Sequence, residues 1–384
     1  MYNPTWVDQP STIEQLFESL EEKFNNNTTI TGFKQLVEIR KQDLTKCFPN
    51  LVNGNLAHLF EHPQVIEHIQ QNSLYELTED WHWLEKKAIK HFGNILACWA
   101  HYEKFSLLKD SQNSFPLLQR NNLPIDEYQY QSEIVDRIEL DSRVFYTLHC
   151  PQALSLVNAI KLINIDLFII EKKWYEMLFL IELSQQGSHF LLYHTNKIGQ
   201  RIIVSSALIQ HWHERSNWLS FDPFFCDNRW QTCFSTKLTP YLYNTGVFYK
   251  KILEVKNDLT FFHLIKDKES ICEVLRLTTS GSTNFRFFIL FLCQKNIMQE
   301  LYTYGKKLAC TIIEQPLMLN LYKSFEDVCY INKSSLNINN NKSATYKGFW
   351  LITTLHNNLQ ECDYKEYKNL IKRKNSWCQN DCFS

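Results

Sequence analysis

Hydrophobic residues recur at helical spacing along the first third of the chain. Ser11-Thr12-Ile13-Glu14 has the form of a capping box, and the apolar positions between Ile13 and Phe24 then lie three and four residues apart. A second apolar stripe, rich in aromatic residues, runs at the same spacing from about Thr78 to Phe105. This spacing predicts amphipathic helices whose apolar faces form a core rather than a ligand-binding surface.

The pattern changes after about residue 165, where apolar and polar residues begin to alternate. Strands are predicted at Met177–Leu183, His189–His194 and Arg201–Ser205, and Asn196-Lys197-Ile198-Gly199 predicts a hairpin turn between the last two. We therefore predict a mainly helical N-terminal domain, residues 1–160, followed by a sheet-containing domain, residues 161–370.

From Phe261 onward the pattern predicts an order of strand, loop, helix, strand, helix and strand. The predicted elements are strands Phe261–Ile265 and Ile271–Thr278, a helix Asn284–Tyr304 ended by Gly305, a strand Lys307–Ile313, a helix Leu317–Phe325 preceded by Pro316, and a strand Tyr346–Thr353. The loop Ser280-Gly281-Ser282 precedes the long helix, where small residues allow backbone N–H groups to approach a phosphate. Taken alone, such a triplet is more often an ordinary turn.

The charge balance narrows the possible partners. Lys and Arg number 40 against 41 Asp and Glu, so the net charge gives no reason to expect nucleic acid or an anionic membrane as a partner. The substrate is therefore expected to be small, or to be carried by a partner that docks on a local basic patch.

The cysteines and the apolar runs indicate a cytoplasmic protein. The 12 cysteines are scattered, and neither Cys378/Cys382 nor Cys226/Cys233 has the spacing of a zinc or redox site. Met1–Pro10 lacks the features of a signal peptide, and no apolar run approaches the roughly 20 residues that span a bilayer. His211-Trp212-His213-Glu214 places two histidines on one face of a strand, but with no matching third ligand we predict no metal site.

Three segments resemble a known family. Glu273-Val274-Leu275-Arg276-Leu277-Thr278, Thr311-Ile312-Ile313-Glu314-Gln315-Pro316 and Tyr346-Lys347-Gly348-Phe349-Trp350 are similar to C-terminal motifs of the LuxM/AinS-type acyl-homoserine-lactone synthases. The surrounding order of elements resembles the core of the Gcn5-related N-acetyltransferase (GNAT) superfold, in which the fourth strand and the next helix hold an acyl carrier. The expected fold class is α/β, with a helical N-terminal region followed by a GNAT-like mixed sheet with flanking helices.

The resemblance implies synthesis of a quorum-sensing autoinducer. S-adenosylmethionine would be N-acylated by an acyl-carrier-protein (ACP) or coenzyme A (CoA) thioester and then lactonised, with release of methylthioadenosine. These are substrates, and no cofactor is expected; an acyl carrier protein is the expected partner. Two alternatives stay open: a GNAT-type acyltransferase that acts on a different amine, and a non-catalytic acyl-carrier-binding protein.

The implied reaction suggests catalytic residues. Glu273 or Glu314 would serve the amine, as base or as anionic anchor, and Arg276 would hold the substrate carboxylate. The Glu273-x-x-Arg276 spacing is similar, by analogy only, to a motif of the LuxI-type synthases. Regular strand geometry puts these two residues on opposite faces, so they share a site only if the strand is bulged. Tyr322 would protonate the leaving thiolate. The alternatives are a strand-edge salt bridge for the pair and buried packing for Tyr322.

A second set of residues is expected to bind the substrates. The loop from Asp222 to Trp230 combines acidic, aromatic and basic side chains that can hold an adenine and a sulfonium. The predicted substrate-binding residues are Asp222, Asp227, Arg229 and Trp230 in this loop, Ser280, Gly281 and Ser282 before the long helix, and Phe288 on the helix, where it would line an acyl-chain pocket. Ordinary packing is the alternative for the loop and for the helix face.

Overall fold

The computed structural model describes residues 12–24, 26–51, 55–72, 79–111, 114–119, 123–185, 187–226, 230–232, 238–252, 255, 258–313, 319, 322, 325, 329–337 and 344–375. The chain divides into two compact units, one formed by residues 1–117 and 152–184 and the other by residues 118–151 and 185–384. Each unit is therefore formed by two separate segments of the chain, whereas the sequence predicts a single boundary at residue 160. The reason is that strands between residues 130 and 147 pair with strands beyond residue 187.

The first unit is helical. Its helices are α1 (Thr12–Lys23), α2 (Asn26–Cys47), α3 (Leu56–Phe60), α4 (Pro63–Gln71), α5 (Glu79–Phe92), α6 (Ile95–Lys109) and α7 (Leu156–Asn164), followed by a π-helical turn (Ile165–Glu171) and a 3-10 helix (Tyr175–Gln185). The predicted helix 78–105 is two helices, because Gly93 adopts φ +85° after α5 and the side chain of Asn94 caps α6. The predicted strand Met177–Leu183 is wrong. Tyr175, Leu178 and Ile181 are buried at three-residue spacing, which a 3-10 helix provides.

The second unit contains a mixed sheet. Its strands are β1 (Tyr130–Val135), β2 (Val144–Thr147), β4 (Ser188–Thr195), β5 (Arg201–His211), β6 (Gln231–Thr232), β7 (Ile271–Leu275), β8 (Leu308–Ile313), β9 (Tyr330–Asn337) and β10 (Ala344–Leu351), with β3 (Cys150–Ser155) running across the boundary between the units. The strand order in the sheet is β1-β4-β5-β7-β8-β10-β9-β6. β2 is not part of this order but also pairs with β5. Neighbours along this order are antiparallel except β7 and β8, which are parallel.

Helices cover both faces of this sheet. They are α8 (Leu238–Asn244), α9 (Asp258–His263), α10 (Thr283–Thr303), α11 (Ile352–Glu361) and α12 (Tyr364–Asn375), with 3-10 turns at Glu127–Gln129, Ile138–Leu140, Trp212–Asn217, Leu219–Phe221 and Lys268–Ser270. Cys272 and Val274 of β7 pack into a core with α10, which we call the α10 cluster. Ile271 packs into a second core around Trp218, Phe261 and Phe349, which we call the Trp218 cluster. Successive β7 side chains thus enter opposite faces of the sheet.

The predicted fold is confirmed in its main features. β7, α10 and β8 reproduce the predicted strand–loop–helix–strand order, and the protein has an α/β fold with a mixed sheet and flanking helices. The predicted strand Phe261–Ile265 is wrong, because residues 261–263 form the end of helix α9 and Ile265 makes an isolated antiparallel bridge with Phe248. Among the described residues, no helix is both long and apolar enough to cross a bilayer.

Candidate active site

The parallel strands β7 and β8 separate inside the sheet. Their register ends where Val274 lies opposite Thr311. Beyond that point the chain after β7 turns to β5, and the N–H of Thr278 donates to the carbonyl of Ser206 at 2.8 Å. The sheet therefore opens at the carboxyl ends of two parallel strands, the position at which open α/β sheets bind ligands.

A β-bulge at Arg276 lies beside this opening. Leu275 still pairs with Leu208, but the next hydrogen bond on the same edge joins Thr278 to Ser206. The three residue steps from Leu275 to Thr278 thus lie opposite the two residue steps from Leu208 to Ser206. The segment after β7 therefore contains one extra residue, which is the definition of a bulge. Arg276 itself has φ +54°, a left-handed conformation that is unusual for a residue with a side chain. The bulge required for Glu273 and Arg276 to share a site is present.

Glu273 is fully buried and holds the start of a 3-10 turn. Its carboxylate accepts the backbone N–H of Leu219 at 2.7 Å and that of Ser220 at 2.8 Å. Burial raises the pKa of Glu273 to about 7, although these donors and the nearby ammonium of Lys347 act to lower it. Each carboxylate oxygen already accepts a backbone donor, so the geometry favours a role in holding this turn over the predicted contact with the substrate amine, as base or as anchor.

Lys347 of β10 is a buried cation on the same face. Its Nζ donates to the carbonyl oxygens of Ser220, at 2.9 Å, and Phe225, at 3.1 Å. Burial lowers the pKa of Lys347, and the opposing influences come from Cys226, Cys310 and Glu273. The sequence did not predict a role for this residue. The sequence shows only a lysine within the otherwise apolar strand motif Tyr346–Trp350. That pattern fits a solvent-exposed lysine as well as a buried one.

Arg276 provides a second cation close to the opening. Its side chain is mostly buried, and burial lowers the pKa of the guanidinium to about 10. A guanidinium in such surroundings favours an anionic partner with planar geometry, such as a carboxylate. This environment fits the predicted contact with a substrate carboxylate.

The loop Ser280-Gly281-Ser282 joins the bulged segment to α10. Ser280 is buried, donates its N–H to the carbonyl of Val204 and lies 2.9 Å, Oγ to Nε2, from His149 in the turn after β2. Ser282 is the exposed N-cap residue of α10, a helix of 21 residues. The structure therefore brings the loop to the N-terminus of a long helix, as predicted, and adds His149, which the sequence gave no reason to select.

Gly281 cannot carry a larger side chain without a local change. It has φ +110°, and a Cβ atom there would lie 2.5 Å from Cδ1 of Phe285. We expect Gly281→Ala to lower the free energy of unfolding by about 1–3 kcal/mol, because the cost of the strained backbone and the cost of displacing the Phe285 ring add together.

Thermal unfolding monitored by calorimetry measures this loss, and Gly199→Ala is the matched control. Gly199 has φ +83°, but nothing lies within 4 Å of its added Cβ. The control should therefore lose only about 1 kcal/mol from strain. Equal losses in the two variants would show that the contact with Phe285 is unimportant.

The predicted nucleoside-binding loop is only partly described. Asp222 is exposed and accepts the N–H of Phe224 at 2.8 Å, which closes a tight turn. Trp230 is buried, donates its indole N–H to the carbonyl of Phe224 and packs against Phe225. Trp230 therefore stabilises the loop. Its predicted role in binding adenine would require an exposed ring face, which the buried Trp230 does not have. Phe224 is the exposed ring of this turn. Asp227 and Arg229 lie outside the described residues.

Tyr322 lies in the α10 cluster, on the face of the sheet opposite Glu273. Its hydroxyl accepts a hydrogen bond from the side chain of Gln294 at 3.2 Å, and burial raises its pKa well above the ordinary value. Its ring stacks on Tyr330. This placement favours the packing alternative for Tyr322. Glu314 lies outside the described residues.

Phe288 is also a core residue. It is buried on α10 and its ring lies 5.1 Å from that of Tyr364 and 5.9 Å from that of Tyr130. It borders a surface groove of about 370 Å³ whose other walls include residues 125–128 and 360–364. The structure therefore favours the packing alternative for Phe288 over the predicted role in an acyl-chain pocket.

One cluster in the helical unit has the chemistry of a metal site. Asp43, Cys47 and His68 place their ligand atoms within 4.8 Å of one another. The Oδ2 atom of Asp43, however, already lies 3.1 Å from His68 Nε2 and 3.3 Å from a guanidinium nitrogen of Arg40. A cation here would compete with that buried arginine, so we assign no metal to the cluster.

The mixed sheet opens beside a bulged strand, and a helix begins at the opening, as the resemblance to an acyltransferase family leads one to expect. The family model described as acyl homoserine lactone synthase matches residues 11–378. The chain is 33% identical over 356 residues to the acyl-homoserine-lactone synthase LuxM of Vibrio campbellii, covering 88% of this chain and 86% of LuxM. It is 31% identical over 354 residues to OpaM of Vibrio parahaemolyticus, covering 88% and 87%.

The chain belongs to the acyl homoserine lactone synthase family and is an enzyme of the acyltransferase class. Among solved structures, that of the AHL synthase LasI aligns with a TM-score of 0.33 and 11% identity, covering 59% of this chain and 95% of LasI.

Proposed function

We propose that the protein makes an N-acyl-homoserine lactone from S-adenosylmethionine and an acyl thioester of ACP or CoA, in the bacterial cytoplasm. The substrate amine attacks the thioester carbonyl, the C–S bond of the thioester breaks, and the thiol leaves. The substrate carboxylate then attacks its own γ-carbon and expels methylthioadenosine. The observation that carries this proposal is the opening between β7 and β8 beside the Arg276 bulge.

Arg276 supplies the contact that the second step needs. A guanidinium bound to the substrate carboxylate fixes the orientation of that group. Lactonisation is intramolecular, so a bent and held conformation can provide about 7–11 kcal/mol of the barrier reduction. The mostly buried position of Arg276 strengthens this charged contact, because little water competes for it.

The Asp222–Phe225 turn supplies the other contact to S-adenosylmethionine. The exposed carboxylate of Asp222 and the exposed ring of Phe224 are adjacent in this turn, and together they suit a sulfonium or ammonium cation. Glu273 holds the segment before this turn in place by accepting the N–H groups of Leu219 and Ser220. Asp227, Arg229 and Glu314 stay predictions.

The acyl donor would approach along the other side of the opening. Its pantetheine arm would lie by the segment that leaves β7, and its phosphate would meet the N-terminal end of α10 at Ser280-Gly281-Ser282. ACP and CoA share this phosphopantetheine arm, so the same residues would serve either donor.

Mass spectrometry on the purified protein tests the proposed function. The protein is incubated with S-adenosylmethionine and a panel of acyl-CoA and acyl-ACP thioesters of different chain length. Lactone and methylthioadenosine in equal amounts would support the proposal and identify the donor. Acylated product without methylthioadenosine would favour an acyltransferase that acts on another amine, and no product from any donor would favour a carrier-binding protein.

A further inference from the structure

Two buried charges hold one loop against the sheet from both sides of β8. Glu273 on β7 accepts the N–H groups of Leu219 and Ser220, and Lys347 on β10 donates to the carbonyls of Ser220 and Phe225. These four hydrogen bonds are 2.7–3.1 Å long. We call the two side chains and the backbone they hold the loop clamp.

The clamp is chemically unusual for a core. Glu273 is 0% exposed and Lys347 is 4% exposed, so both charged groups have lost most of their hydration. Apolar residues of similar size often stabilise a core as well as a buried ion pair does, so stability alone gives little reason for this arrangement. The hydrogen bonds instead fix one backbone conformation, which is useful when a loop must present groups to a ligand.

What the clamp fixes is the turn that faces solvent. Lys347 holds the carbonyl of Ser220, two residues before Asp222, and the carbonyl of Phe225, directly after Phe224. The turn between these two points is closed by the Asp222 carboxylate. A carboxylate and a 39% exposed aromatic ring are thereby held next to each other.

We infer that Lys347 is a positioning residue for S-adenosylmethionine, acting through the carbonyl groups of Ser220 and Phe225 on the Asp222–Phe225 turn. The inference rests on the proposed function and deepens it. It assigns recognition of the cationic substrate to this turn, and it assigns the rigidity of the turn to Lys347. Lys347 does not touch the reacting atoms. Its loss should therefore weaken binding of one substrate and leave the donor and the chemical step largely unaffected.

Lys347→Met removes the ammonium and keeps the length of the side chain. We expect the KM for S-adenosylmethionine to rise about 10-fold, with kcat and the KM for the acyl donor changing less than about 3-fold. Hydrogen–deuterium exchange should become faster in residues 218–226, because Lys347 no longer holds their carbonyls. Lys347→Arg keeps a cation and should restore part of the affinity.

Lys306→Met is the matched control. Lys306 is also a buried lysine, at 6% exposure, and its Nζ donates to a backbone carbonyl, that of Glu269. This control should leave the KM for S-adenosylmethionine and the exchange of residues 218–226 unchanged. Equal KM values for wild type and Lys347→Met, or equal effects of the two variants, would overturn the inference.

A second variant tests the turn through its partly exposed ring, which packs edge to face against Phe225 and Trp230. Phe224→Ala removes the exposed ring, and we expect affinity for S-adenosylmethionine to fall about 10-fold relative to S-adenosylhomocysteine, which lacks the sulfonium charge. Calorimetric titration of the two ligands measures this ratio. An unchanged ratio would contradict recognition of the cation by this turn, even if Lys347→Met fails to fold. A wild-type protein that forms no lactone would instead refute the proposed function.

Discussion

Replacing Arg276 with alanine is expected to lower lactone formation by about 10³-fold while the protein stays folded. The loss of a mostly buried charged contact costs about 2–5 kcal/mol, and each 1.4 kcal/mol is a factor of ten in rate. Alanine carries the same Cβ atom, so the strained backbone at φ +54° is not made worse. Lactone yield by mass spectrometry and circular dichroism measure the two parts of this prediction.

Arg137→Ala is the control for this experiment. Arg137 is 68% exposed, and its ion pair with Glu139 is a surface contact worth about 0–1 kcal/mol. We expect near wild-type lactone yield from this variant. Full activity of Arg276→Ala, with Arg137→Ala also active, would exclude the assigned role of Arg276 in holding the substrate carboxylate.

The second large effect concerns Glu273 and the dependence of stability on pH. Its pKa in the folded protein is about 7, above the ordinary value of 4.5, so the folded state binds this proton more tightly than the unfolded state. The resulting contribution to stability is fully present below pH 4.5 and is lost as the pH rises to about 7. We expect the free energy of unfolding to fall by up to about 3 kcal/mol over this range, relative to a variant without the titrating group.

Glu273→Gln is that variant. Its amide does not titrate, so the difference in free energy of unfolding between wild type and variant should shrink or change sign as the pH rises from 4.5 to 7. The amide oxygen can accept from Leu219 or Ser220, whereas the ionised carboxylate accepts from both. Denaturant unfolding at several pH values measures the slope. Parallel curves for the two proteins would contradict a raised pKa for Glu273.

The fold around the opening was largely predictable from local pattern. The small-residue loop, the long apolar helix ended by Gly305 and the β-branched strand after it are all local signals, and β7, α10 and β8 follow them. The strand predictions failed at Met177–Leu183 and Phe261–Ile265. Both are short apolar runs, and a short apolar run is compatible with a helical turn as well as with a strand.

The site was predictable only where its residues are close in sequence. Glu273 and Arg276 belong to one motif, and the need for a bulge between them follows from strand alternation alone. Lys347 acts on a loop more than 100 residues away, so no local pattern links it to Ser220 or Phe225. Trp230 and Tyr322 were selected for their chemistry, but burial places both in packing roles, and burial depends on distant parts of the chain.

A crystal structure with bound S-adenosylmethionine tests the central claim most directly. We predict density in the opening beside the Arg276 bulge, with the substrate carboxylate on the Arg276 guanidinium and the sulfonium against Phe224 and Asp222. Density for the ligand elsewhere on the protein, with Arg276 and this turn unoccupied, would contradict the account.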